Sequence, residues 1–143
     1  MKRSLVSQAI FIPLIYFSFI IIAGLFANNY SHLGQHASEL GINSHSTPGN
    51  LFKIGILATS CSLFLLSIGL ILNFRSKFSS TFSLIFIYGI TFIFGVIFPI
   101  GSPWHGLYGF GLIVIIIPFL FLYELNNMIA KKTVHVISII AGF

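Results

Sequence analysis

The chain has 143 residues, of which 57% are hydrophobic and 16% aromatic, while only 6% are charged. Seventeen phenylalanines stand against two acids and no aspartate, whereas a soluble domain carries about 25% charged residues. So apolar a chain cannot hide its surface from water, which excludes an ordinary soluble fold and predicts an integral membrane protein.

A membrane-crossing helix needs about 20 largely apolar residues for a hydrocarbon core of ~30 Å. Four segments meet that length in chain order: 8–27, 54–73, 82–100 and 105–125. Lys2 and Arg3 precede the first, but its apolar stretch exceeds the 7–15 residues of a signal-peptide core, so an uncleaved helix is expected. Thr47-Pro48 reads as an N-cap followed by proline in the first turn of the second span. Thr59, Ser60, Ser62 and Ser67 in that span are expected to bond to their own helix carbonyls. Ser79, Ser80 and Thr81 offer caps for the third span. Pro13 and Pro118 predict kinks, which lipid-buried helices tolerate. Gly106, Gly109 and Gly111 predict a close packing seam at the start of the fourth span. Glu124, at the end of that span, is expected to reach the interface or pair with a lysine. A fifth run, 133–143, rises only about 16 Å as a helix, so the chain is expected to end in a short or incomplete span. The fold class is therefore all-α: a single transmembrane helical domain over residues 1–143, with four spans, a partial fifth and one polar loop.

Charge gives an orientation. With the N-terminus in the cytoplasm, Lys2, Arg3, Arg75, Lys77, Lys131 and Lys132 fall inside and only Lys53 outside, a positive-inside pattern. Residues 28–50 and the Gly101–Trp104 link are then external, as expected of a multi-pass protein of the cell (inner) membrane. The net charge of +5 is accounted for by topology and implies no nucleic-acid partner. The single Cys61 rules out an internal disulfide.

The polar stretch Tyr30–Asn50 carries three of the five histidines (His32, His36, His45) and one of the two acids, Glu39. If Ser31 caps a short helix and Gly41 ends it, His32, His36 and Glu39 fall within roughly 60° of one another. Two imidazoles spaced i, i+4 beside a carboxylate suit zinc, and His105 begins the fourth span on the same side. His32, His36 and His105 are thus candidate metal ligands and Glu39 a candidate general base. No glycine-rich phosphate loop, nucleophile elbow or cysteine-pair metal motif is present.

The segments Ser38-Glu39-Leu40-Gly41, Thr47-Pro48-Gly49-Asn50-Leu51-Phe52 and Gly95-Val96-Ile97-Phe98-Pro99…His105-Gly106 resemble a prokaryotic multipass membrane family, number 998 among the domains of unknown function. The resemblance covers most of the chain and implies a bundle of about six helices. In that family the turn after Phe-Pro often carries an acid, where this chain has Ile100, Gly101 and Ser102.

Two functions follow as expectations. One is a non-enzymatic bundle acting as a subunit, scaffold or lipid-interacting factor, alone in the bilayer or with a second copy or partner subunit, and needing no cofactor. The alternative is a membrane-embedded metal hydrolase of a lipid-type substrate at the outer face, similar in chemistry to ceramidase-type zinc enzymes, with water activated by zinc and Glu39 as base. A transporter would need charge at mid-membrane or a broken helix pair, and neither is visible.

Overall fold

The computed structural model describes residues 2–43 and 45–126. These fold as helices: α1 (Lys2–Ser7), α2 (Phe11–Leu25), α3 (Thr47–Phe74), α4 (Ser79–Ile97) and α5 (Ile117–Asn126), with 3₁₀ turns at Gln8–Ile10, Ala37–Gly41, Arg75–Phe78 and His105–Ile116. They make four stretches long and apolar enough to cross a membrane: Ser4–Leu25, Thr47–Phe74, Ser79–Ile97 and His105–Asn126. The protein is a multi-pass helical membrane protein, as the composition requires. Each of the first three membrane-length stretches begins three to seven residues before its apolar run, because hydropathy marks only the part that must lie in lipid. The run 133–143 lies outside the described residues.

α3 is the centre of the bundle. Its apolar residues Phe52, Ile56, Leu63 and Leu70 are buried, together with Ile20 and Ala23 of α2 and Ile85 and Phe92 of α4. α1 and α2 pack on one side of α3 and α4 on another, and the last span packs on α4. Glycines allow the close approaches: a Cβ on Gly55 would collide with Phe19 of α2, and one on Gly69 would meet Leu5 Cβ of α1 at 2.8 Å.

Lipid offers no hydrophobic drive between helices, so small polar residues join them. Ser60 Oγ donates to the Gly89 carbonyl (2.7 Å) and Ser67 Oγ to the Phe82 carbonyl (3.0 Å), both on α4. Gln8 Nε2 donates to the Ser62 carbonyl (2.9 Å) from the other side. Thr59 satisfies itself locally, on the Gly55 carbonyl, as expected. Ser60 and Ser67 are therefore cross-helix ties, contrary to the local bonding expected of them. Each such tie is worth about 0.6 kcal/mol on average in a bilayer.

Both prolines follow stretches of 3₁₀ geometry. Pro13 has no N–H, and the helix tightens to 3₁₀ geometry at Gln8–Ile10 just before it. Pro118 follows the 3₁₀ run His105–Ile116, where the Ile117 N–H reaches back only to Val114. The expected glycine seam is corrected in part. Gly111 faces Thr91 and Tyr88 of α4, but Gly106 and Gly109 have no atom within reach of a Cβ and lie on the open side of the helix.

Glu124 neither reaches outward nor relies on a lysine in the described structure. It is buried, and its two oxygens accept from the backbone N–H groups of Ser80 (2.7 Å) and Thr81 (3.1 Å). The N-terminus of α4 is thus capped by a carboxylate from another helix, and no side-chain cap comes from its own N-cap residue, Phe78. Beside it, Phe78 and Phe121 stack at 5.2 Å.

Candidate functional site

The polar segment after α2 folds back over the start of α3. Leu40 and Gly41 are buried, and the ring of Phe52 lies 3.1 Å from where a Gly41 Cβ would stand. The expected short α-helix from Ser31 is absent. One turn closes at Ser31–Gln35, the chain is extended at His36, and a 3₁₀ turn spans Ala37–Gly41. The local reason is Gln35 and Glu39. Gln35 Oε1 accepts from the Ser31 N–H (2.8 Å) and its Nε2 donates to Glu39 Oε2 (3.0 Å). Glu39 Oε1 accepts from the His36 N–H (3.0 Å), so the carboxylate stabilises the positive end of its own 3₁₀ turn.

This backbone separates the histidines that helical spacing would have gathered. The His32 imidazole packs over Gly24 of α2, where a Cβ would collide with it, and meets Tyr30 edge-on at 5.0 Å. His36 is exposed at the N-cap of the 3₁₀ turn. His45 is exposed just before α3. His105 Nδ1 lies 2.7 Å from the Phe98 carbonyl, which can only accept, so Nδ1 carries the proton and His105 closes the turn between α4 and the last span. Among the described residues, no three His, Cys, Asp or Glu side chains form a group that could hold a metal ion. Glu39 is engaged by His36 and Gln35, so its position is that of a capping group and hydrogen-bond acceptor.

The turn that His105 closes is shaped by Gly101, whose φ of +94° lies in the region glycine tolerates. Gly101→Ala is expected to cost about 1 kcal/mol through that φ alone, because the added Cβ would meet nothing within 4 Å. A thermal melt in detergent measures it.

The loop instead builds a cleft. About 440 Å³ in volume, it lies between the end of α2 and the start of α3, with Phe26, Leu40, Ile42 and Pro48 as apolar wall. Its polar lining includes Asn28, Asn29, Tyr30, Gln35, Glu39 and Asn43. Asn29 holds the turn in the left-handed region (φ 61°), which asparagine enters more easily than most residues. The far edge is set by Ser46, which caps α3 one residue earlier than expected. Ser46 Oγ accepts from the Gly49 N–H (3.2 Å) and donates to the Asn43 carbonyl (2.7 Å). Burial, and after it the Glu39 charge, raises the Tyr30 phenol above its ordinary value of 10.0, so the phenol stays neutral and keeps its O–H.

Spacing did not reveal Asn28, Asn29, Gln35 or Asn43 as lining residues. One signal was present: Ser31, Gln35 and Glu39 recur every four residues, and those are the residues linked by hydrogen bonds.

Residues 10–142 match the family described as "Protein of unknown function (DUF998)". The chain belongs to that family. The match begins within the first membrane-length helix and covers the other three and the cleft, in agreement with the resemblance carried by the Ser-Glu-Leu-Gly and Phe-Pro…His segments. No curated protein and no solved structure gives a significant match to the chain.

Proposed function

We propose that this DUF998 protein is a non-enzymatic, lipid-interacting bundle that receives a hydrogen-donating lipid headgroup, of the ethanolamine type, in the cleft beside Tyr30 and Glu39. The observation that carries this is the chemistry of the lining. Its only ionisable residues are one carboxylate and one neutral phenol, surrounded by amides and bounded by an apolar wall. Such a set offers acceptors to an ammonium group, amide donors to the adjoining phosphate and an apolar surface to the glycerol region. The alignment of Glu39 supports binding over catalysis. Two fixed donors hold its oxygens at 3.0 Å, while each oxygen keeps a second lone pair for a ligand.

In this reading the N-terminus is cytoplasmic and the cleft faces outward, at the depth where lipid headgroups begin. Six of the seven lysines and arginines then stay inside. A reporter fused after Lys132 should signal from the cytoplasm, and an external signal would contradict the orientation.

The binding claim is tested by native mass spectrometry of protein from nanodiscs containing equal phosphatidylethanolamine and phosphatidylcholine. The expected result is enrichment of the ethanolamine lipid on wild type, lowered about tenfold in Glu39→Gln through loss of a charge-assisted contact of ~1.4 kcal/mol. Equal retention of the two lipids by wild type would sink the proposal.

A further inference from the structure

The opposite end of the bundle carries a second cleft with different chemistry. It lies where α1 packs against the C-terminal end of α3, has a volume of about 430 Å³, and is lined by Val6, Ser7, Asn73 and Phe74. Gly69 lets α1 lie close at this point, with Leu5 and Val6 against it. The polar lining is held in place: Ser7 Oγ donates to the Ser4 carbonyl (3.2 Å) and Asn73 Nδ2 to the Gly69 carbonyl (2.7 Å). Phe74 is fixed edge-on against Phe78 at 5.2 Å and forms an apolar wall with Val6.

The charge around this cleft is one-sided. Lys2 and Arg3 begin α1, and Arg75 and Lys77 lie in the turn directly after Phe74. Of the chain's two acids, Glu39 stands at the other end, and Glu124 is buried with both oxygens on the N-terminus of α4. Four basic residues therefore stand in the backbone segments adjoining a partly apolar cleft, with no exposed carboxylate to offset them among the described residues.

We propose that this cleft seats the phosphate headgroup of an anionic membrane phospholipid, with Val6 and Phe74 against its glycerol and upper acyl region. The charge complementarity selects an anion, and the apolar wall at the rim of a membrane-spanning helix selects a lipid over free phosphate. A lipid bound there ties α1 to the end of α3. This site shares no residue with the cleft at Tyr30 and Glu39, so either can fail without the other.

The test uses the full chain in detergent, titrated with phosphatidylglycerol and with phosphatidylcholine of matched acyl chains and followed by native mass spectrometry. Phosphatidylglycerol is expected to bind at least tenfold more tightly. Lys77→Gln is expected to weaken it about fivefold, the effect of one cation near a headgroup. Ser7→Leu leaves every charge in place and fills the cleft from an exposed position, and it should bring phosphatidylglycerol down to the level of phosphatidylcholine. Because Ser7 is exposed, that variant is expected to fold, and an unchanged thermal melt verifies it. If Ser7→Leu binds phosphatidylglycerol like wild type, the basic end attracts lipid without a seat and the proposal is overturned. Displacement of the lipid by millimolar inorganic phosphate would also overturn it, since the cleft would then be a free-phosphate site.

Discussion

Replacing Glu124 by alanine is expected to destabilise the bundle by about 2–3 kcal/mol, the largest effect of any single side chain considered. The carboxylate satisfies two backbone N–H groups, of Ser80 and Thr81, at the start of α4. Removing a helix cap costs ~0.5–2 kcal/mol, and leaving a buried donor without a partner costs ~1–3 kcal/mol. The loss falls where the last span meets α4, so hydrogen exchange of the Ser80 and Thr81 amides should accelerate together with a lower midpoint of thermal unfolding. Glu124→Gln retains one acceptor oxygen but turns an N–H₂ toward the helix end, and should lie between wild type and alanine. Replacing a buried ion by a neutral group can be harmless where its partner also goes, but here the partners are backbone amides that remain. An unchanged melt for Glu124→Ala would show that the carboxylate does not hold these helices together.

The second large effect is expected at Gly49. This residue lies in the first turn of α3, buried, and a Cβ there would run into the Asn43 carbonyl oxygen and come within 3.2 Å of Ser46 Oγ. Helix propensity alone favours alanine over glycine by about 1 kcal/mol. The collision is with backbone, so the loop must move, and overpacking of this kind costs ~1–3 kcal/mol. The Asn43 carbonyl also receives the Ser46 hydroxyl, so displacing it loosens the cap of α3 and the edge of the cleft together. Gly49→Ala is therefore expected to lower the unfolding midpoint and to weaken ethanolamine-lipid selectivity in one step. If Gly49→Ala raises the midpoint, propensity prevails and the loop does not press on the helix.

These two residues mark what sequence could and could not supply. The spans were legible because crossing a membrane is a one-dimensional demand: about 20 apolar residues in a row. Helix starts such as Thr47 were less so, since polar residues continue a helix outside the apolar core. The partner of Glu124 was not legible at all. An acid near the end of one span says nothing about which helix N-terminus lies 44 residues away in sequence. The polar loop misled through an assumption. The 100° spacing that placed His32, His36 and Glu39 on one face holds only in an α-helix, and the capping demands of Gln35 and Glu39 broke the helix at His36. The cleft needed tertiary structure because its walls come from the end of α2, the 3₁₀ turn and the start of α3. The serines of α3 show the same limit: Ser60 and Ser67 look identical to Thr59 in sequence but donate across to α4.

An ethanolamine-type headgroup seated in the cleft beside Tyr30 and Glu39 is expected to shield the cleft's rim from thiol chemistry. In a Cys61→Ser background, Asn43→Cys places a thiol on the cleft lining, where a membrane-impermeant maleimide can reach it from the outer side. Labelling is expected to be several-fold slower in phosphatidylethanolamine nanodiscs than in phosphatidylcholine nanodiscs, with Glu39→Gln abolishing the difference. Equal labelling rates in the two lipids would contradict it.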